Sequence, residues 1–195
     1  MYHKHHTKGI VIYSLSEGLS NRRIGLLTEN LGLIWAKAQS ARSGNSKLRA
    51  GCQDFSIGEF SLVLGKSGWR VVGARAESNL FEIFKADSQK LHTLANLFAL
   101  VRKLVTGEDR VSDIFLTVSK FLDFLLLAKP EEVAPAEWLT LCRILRTLGF
   151  LREDPEVSPY LVASDIGMDE LERITPMKNK IIRLINESLS VASVG

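Results

Sequence analysis

Between Asn21 and Phe55 the chain reads NRRIGLLTENLGLIWAKAQSARSGNSKLRAGCQDF, and this stretch limits the possible folds more than any other. Arg22 to Thr28 and Leu33 to Ala38 are apolar runs of strand length. Glu29-Asn30-Leu31-Gly32 between them predicts a tight turn, with Asn and Gly supplying the positive φ. Side chains alternate across such a sheet. Ile24, Leu26, Ile34, Ala36 and Ala38 fall on one face; Arg23, Gly25, Leu27, Leu33, Trp35 and Lys37 fall on the other. If the Ile-bearing face lines a barrel, its outside carries Arg23, Gly25, Trp35 and Lys37 together, and Gly25 leaves room for a backbone or a base to approach. Trp35 has two readings, a core ring or a stacking platform.

Three more strand signals surround this hairpin: the β-branched run in Lys8 to Leu15, then Ser56 to Leu64 and Trp69 to Glu77. Five short strands in this space predict a small barrel, and pattern alone leaves an OB-fold and an SH3-like barrel both open. The turn Gly65-Lys66-Ser67-Gly68 imitates the end of a phosphate-binding loop. The motif fails, because Phe60 stands where its first Gly belongs and a strand follows in place of a helix. Gln39 to Ala50 has no apolar period and predicts a flexible basic loop. After Ser78 the spacing becomes helical, through Leu91, Leu94, Phe98, Val101 and Val105 to an end at Gly107. Asp109 caps a second helix that Lys129-Pro130 ends, and Pro135 and Gly149 bracket a third. Shorter helices follow around residues 169–174 and 176–189. The expected class is α+β: an N-terminal five-stranded OB-fold barrel (residues 1–80) followed by an all-helical domain (residues 81–195).

The net charge is +3 but unevenly spread. Residues 1–84 carry 11 Lys/Arg against 6 Asp/Glu, and residues 85–195 carry 14 against 16. Within the opening stretch Arg22, Arg23, Lys37, Arg42, Lys47 and Arg49 face only Glu29 and Asp54. Cations interleaved with a ring are what an unpaired nucleic-acid strand requires, since phosphates take the charge and bases take the ring. The candidate DNA-binding set is therefore Arg22, Arg23, Trp35, Lys37, Arg42, Lys47 and Arg49.

Other chemistry finds little support. Cys52 and Cys142 are far apart and read as buried, reduced thiols. His3, His5 and His6 sit in an N-terminal segment expected to fray, and His92 reads as a packing residue. No carboxylate pair, nucleophile–base set or metal-ligand spacing stands out, so neither an enzyme nor a cofactor is expected. With no signal peptide and no spanning run, the expected location is cytoplasmic, associated with the nucleoid.

Several motifs, weak singly, recur together in order: Gly9-Ile10-Val11-Ile12, Arg22/Arg23 leading to Leu27-Thr28, Gly32, Ala36-Lys37-Ala38, Ala41-Arg42, Ser46-Lys47-Leu48, Gln53-x-Phe55, and Leu141 to Phe150 with its Leu-Gly-Phe end. Over roughly residues 7–150 the chain resembles the RecO family of bacterial recombination mediators. The resemblance implies an OB-fold and a helical domain, binding and annealing of single-stranded DNA, and loading of recombinase together with RecR. It also implies contact with the acidic tail of single-strand-binding protein, for which Arg102, Lys103, Arg143 and Arg146 are the candidates. Ala38 stands where the family's Ala-Lys-Gly has Gly, and the acidic residue expected before the second strand is displaced to Glu17 or lost. No Cys follows the Leu-Gly-Phe element, so the four-cysteine zinc site of many members is not expected. Two rivals are a different small-barrel protein for RNA or structured DNA, and a protein–protein adaptor whose barrel touches no nucleic acid.

Overall fold

The computed structural model describes residues 3–105, 111–163 and 165–192. Five strands, β1 (Lys4–Glu17), β2 (Asn21–Thr28), β3 (Gly32–Ala38), β4 (Ser56–Gly65) and β5 (Gly68–Asn79), close a barrel in the order β1-β2-β3-β5-β4. Closure depends on β1, whose first half pairs with β4 and whose second half pairs with β2. Only β3 and β5 run parallel. Helices follow the barrel, giving the OB-fold and helical arrangement expected: α1 (Leu80–Phe84), α2 (Ser88–Leu104), α3 (Val111–Leu127), α4 (Pro130–Thr147), α5 (Met168–Ile174) and α6 (Lys178–Ala192). The helix end expected at Gly107 and the cap expected at Asp109 lie outside the described residues.

The chain divides into two compact units, Met1–Leu91 with Phe98–Ser112, and His92–Leu97 with Asp113–Gly195. In the first, Val11, Ile24, Leu26, Ile34, Ala36, Ala38, Phe60, Leu62 and Val71 fill the barrel. The inward face inferred for β2 and β3 is thus the buried one, and the small Ala36 and Ala38 make room for the larger rings and chains opposite them. The β2–β3 turn needs Gly32 (φ 82°), while Asn30 takes no positive φ. Thr28 closes that turn, its hydroxyl donating to the Gly32 carbonyl (2.8 Å) and accepting from Leu31 N–H (2.9 Å). Asn79 joins β5 to α1 as an N-cap, accepting from Phe81 and Glu82 N–H.

Three expectations need correction. His5 and His6 are in β1, paired with Leu62 and Ser61 of β4, so this end is held by a long-range partner that no local pattern reveals. The segment after β3 is a chain of consecutive turns, with N–H groups of Ser43, Ser46 and Arg49 bonded three residues back. Ala41 and Cys52 anchor it in the core. Lys129-Pro130 starts α4 and does not merely end α3. Pro130 takes the first helical position, Glu132 accepts the Lys129 N–H at 2.8 Å, and Pro135 lies inside the helix. A proline in the first turn lacks only a donor that would be orphaned there anyway, so the earlier of two prolines is the better start.

In the second unit α3 buries Ile114, Val118, Phe121 and Leu125, and α4 buries Leu139, Cys142, Ile144 and Leu145. α6 adds Ile181, Leu184 and Ile185 to the buried set. Burial pushes both cysteine thiols up to about 12, which makes them poor nucleophiles. No helix among the described residues is long and apolar enough to cross a membrane.

Candidate nucleic-acid interface

The outer face of β2 and β3 is organised by register. Arg23 stands opposite Lys37 and Gly25 stands opposite Trp35, so the four residues form two adjoining cross-strand pairs. Without a side chain at Gly25, the Trp35 ring settles onto the backbone; a Cβ built at Gly25 would lie 3.4 Å from the indole. Trp35 is half-buried by this contact and points outward, which removes the core reading. On the other side of Gly25 its register partner is Tyr13 of β1. The Tyr13 and Trp35 rings meet edge to face, with centroids 6.1 Å apart and an interplanar angle of 81°, a geometry the ring quadrupoles favour.

Each ring has a cation. The Arg23 guanidinium is 5.7 Å from the Trp35 centroid, and the Arg102 guanidinium, from α2, is 4.0 Å from that of Tyr13. Both distances are within the range of cation–π attraction. The outcome is a line of two rings flanked by cations, Arg102, Tyr13, Trp35 and Arg23, with Lys37 beside its last member. Lys37 is engaged by Glu17 at 3.0 Å, both side chains remaining about half exposed. An exposed pair of this kind contributes little to stability and can yield to a phosphate.

The remaining candidates separate. Arg22 has the opposite strand parity from Arg23. Its Nη1 donates to Ser14 Oγ (3.1 Å) and to the Cys52 carbonyl (3.3 Å). It therefore ties β2 to β1 and to the loop before β4, and the structure takes it off the outer row. Arg42 donates to the Gly18 carbonyl at 3.1 Å, fastening the long loop to the β1–β2 turn while keeping its charge in water. Lys47 and Arg49 are exposed on the same loop.

The four cations assigned to an acidic tail are not one set. Arg102 and Lys103 belong to the first unit, Arg143 and Arg146 to the second. Arg143 is buried, donating to the carbonyls of Tyr160 and Asp165 (3.0 Å each) and to Glu170 at 3.2 Å. Its guanidinium is tied into the fold, which removes it as an open receptor. Arg146 is exposed and, with Leu116, Leu161 and Val162, lines a cleft of about 350 Å³.

Tyr13 was missed because β1 carries a bulge between Val11 and Tyr13, which breaks simple alternation and turns the ring outward. Its signal was an aromatic residue ending the run Ile10-Val11-Ile12. Arg102 gave no signal for its place here, since its partner is 89 positions away in the sequence. Among the described residues no group of three or more His, Cys, Asp or Glu is placed to hold a metal ion.

With this geometry in hand, comparison with known proteins agrees with the resemblance read from the sequence. Residues 1–72 match the family model described as recombination protein O N terminal. The chain is similar to the DNA repair protein RecO of Acetivibrio thermocellus, 27% identical over 146 residues that cover 74% of this chain and 57% of that protein. It is also similar to the DNA repair protein RecO of Alkaliphilus metalliredigens, 28% identical over 158 residues covering 80% and 60%. The chain spans about six tenths of the length of these curated relatives.

Proposed function

We propose, for a chain whose first 72 residues match the family model of recombination protein O N terminal, that it acts in DNA repair and recombination as a single-stranded DNA-binding and annealing protein. In this reading the barrel of residues 1–80 is the binding domain. The observation that carries the reading is the outward line Arg102, Tyr13, Trp35 and Arg23 with Lys37 alongside. Arg23 and Lys37, joined by Arg42, Lys47 and Arg49 from the adjacent loop, neutralise phosphates. Trp35 and Tyr13 offer rings on which unpaired bases stack without regard to sequence. Two strands held in this way, screened in charge and with base edges free, anneal with no bond made or broken by the protein.

Loading of recombinase onto DNA coated by single-strand-binding protein, together with a RecR-like partner, is the wider role this reading includes, in the cytoplasm. Arg146 and its cleft, of mixed polar and apolar lining with Asp113 and Thr117 among its walls, are the site proposed for the acidic tail, with Lys103 as a separate candidate. The test is a titration with fluorescent oligothymidylate across a range of salt, with duplex and RNA as competitors. Trp35→Ala should weaken binding by about 1–3 kcal/mol, and Trp35→Phe by much less. Preference for duplex or RNA would favour the rival barrel function. Retention of partner proteins with no shift of any oligonucleotide at low salt would leave only the adaptor.

A further inference from the structure

The outer row does not stop at Lys37. Lys37 is in register with Arg70 of β5, Arg70 with Val63 of β4, and Val63 with Lys4 of β1. Directly opposed residues share a face, so Arg23, Lys37, Arg70 and Lys4 lie along one cross-strand row on the outside, with Val63 between the last two. The row does not close on itself, because Arg23 is opposite Leu15 on β1. Neighbouring strands lie about 4.8 Å apart, and like charges placed opposite each other on a sheet destabilise it. Among the described residues the only ion pair made by this row is Lys37 with Glu17. Arg23, Lys37 and Arg70 are all exposed. Such a row is unfavourable for the sheet by itself and favourable once a polyanion lies across it.

The row ends beside a second group of rings. Trp69 precedes Arg70, so it has the opposite strand parity and shares the inward face of its register partner Ala36. It lies one residue into β5, opposite the exposed Leu64 beside the β4–β5 turn, and is only partly packed on the core. His5 meets it edge to face at 5.1 Å, and His3 meets His5 at 4.7 Å. Neither ring pair belongs to the Tyr13–Trp35 group.

We propose that Arg70 extends the phosphate track from β3 onto β5 and leads a single strand to a second stacking station made by Trp69, His5 and His3. This rests on the reading of the barrel as a single-strand binder and adds direction to it: the strand crosses β2, β3 and β5 and does not follow the β2–β3 hairpin. One chain then holds bases at two separated places, with a bridge of phosphate contacts between them.

The experiment uses the full chain and fluorescent oligothymidylate. Arg70→Gln should lower the slope of log affinity against log salt by about 0.7, and Arg70→Lys should restore it, since a phosphate contact needs the charge and not the guanidinium shape. In parallel, a Trp35→Phe/Trp138→Phe double variant leaves Trp69 as the sole indole, and its emission should change on saturation. A Trp69→Phe/Trp138→Phe variant, reporting Trp35 alone, is the companion. If Trp35 responds while Trp69 stays silent and Arg70→Gln keeps the full slope, the second station is overturned and the first stands. If neither indole responds and no oligonucleotide binds, both readings fall. Urea midpoints for every variant identify any loss caused by unfolding.

Discussion

On the barrel, Arg23 lies in solvent over an indole ring, opposite another cation. In the helical unit, Arg143 is buried among two carbonyls and the Glu170 carboxylate. The chemistry of the two side chains is the same, but they differ in what already occupies their donors. Burial pushes the Arg143 pKa down, and Glu170, followed by Asp165, holds it up, so its charge is retained by partners inside the fold. Among the described residues the Arg23 charge has no such partner, and its attraction remains available to an external anion. A guanidinium is a receptor only while its hydrogen-bond donors are not committed to the chain.

The largest effect that can break this contrast is on stability. Arg143→Met leaves Glu170 and two carbonyls with no cation, and breaking a buried pair in this way costs about 3–5 kcal/mol. Glu170 keeps some contact with water, its side chain being 24% exposed, so the lower end is expected. Urea denaturation should show a lower midpoint, while oligonucleotide binding, measured where the protein is still folded, stays as it was. Weakened binding with an unmoved midpoint would make Arg143 a receptor after all and collapse the distinction.

The next test compares neighbours in sequence. Arg23→Gln should lower the salt slope of binding by about 0.7 and leave stability within about 0.5 kcal/mol. Arg22→Gln removes the bonds to Ser14 and Cys52 and should cost about 1 kcal/mol of stability, with the slope unchanged. Both substitutions delete one positive charge from adjacent positions, so a generic charge effect moves the two equally. Equal slopes would show that strand parity does not decide which arginine meets DNA.

These arginines also show what the sequence can and cannot disclose. The inward faces of β2 and β3 were legible because alternation is local and one-sided burial enforces it. Arg23, Gly25, Trp35 and Lys37 came together from that rule alone. Arg22 was misplaced by reading charge without parity, although the same alternation would have set it apart. Tyr13 was hidden by a bulge, and the Arg102–Tyr13 stack and the Lys37–Arg70 pair by distance along the chain. The start of α4 was missed because two prolines offered two starts, and Pro135 is tolerated within the helix. Of these, only the Arg102–Tyr13 stack and the Lys37–Arg70 pair were fixed by partners far away in sequence, with no local period to report them.

The smallest expected effect lies with a half-buried acid of the helical unit, Glu137. Glu137 sits on α4 with its pKa pushed above the ordinary 4.5 by burial, against the opposing pull of His92 and a hydrogen bond from Thr93. Because the folded state holds this proton more tightly than the unfolded chain, its contribution to stability is present at acid pH. It is lost as pH rises from 4.5 through the raised folded value. Glu137→Gln keeps the shape and can still accept from Thr93, but never ionises. The variant should match the parent near pH 4 and exceed it by about 0.5 kcal/mol at pH 7, read from urea midpoints at the two values. The same gain at both pH values would mean that the charge is not what burial opposes at this site. A loss at pH 7 would mean that His92 and Thr93 outweigh burial, and that this unit, like the barrel's outer face, tolerates an ionised side chain at little cost.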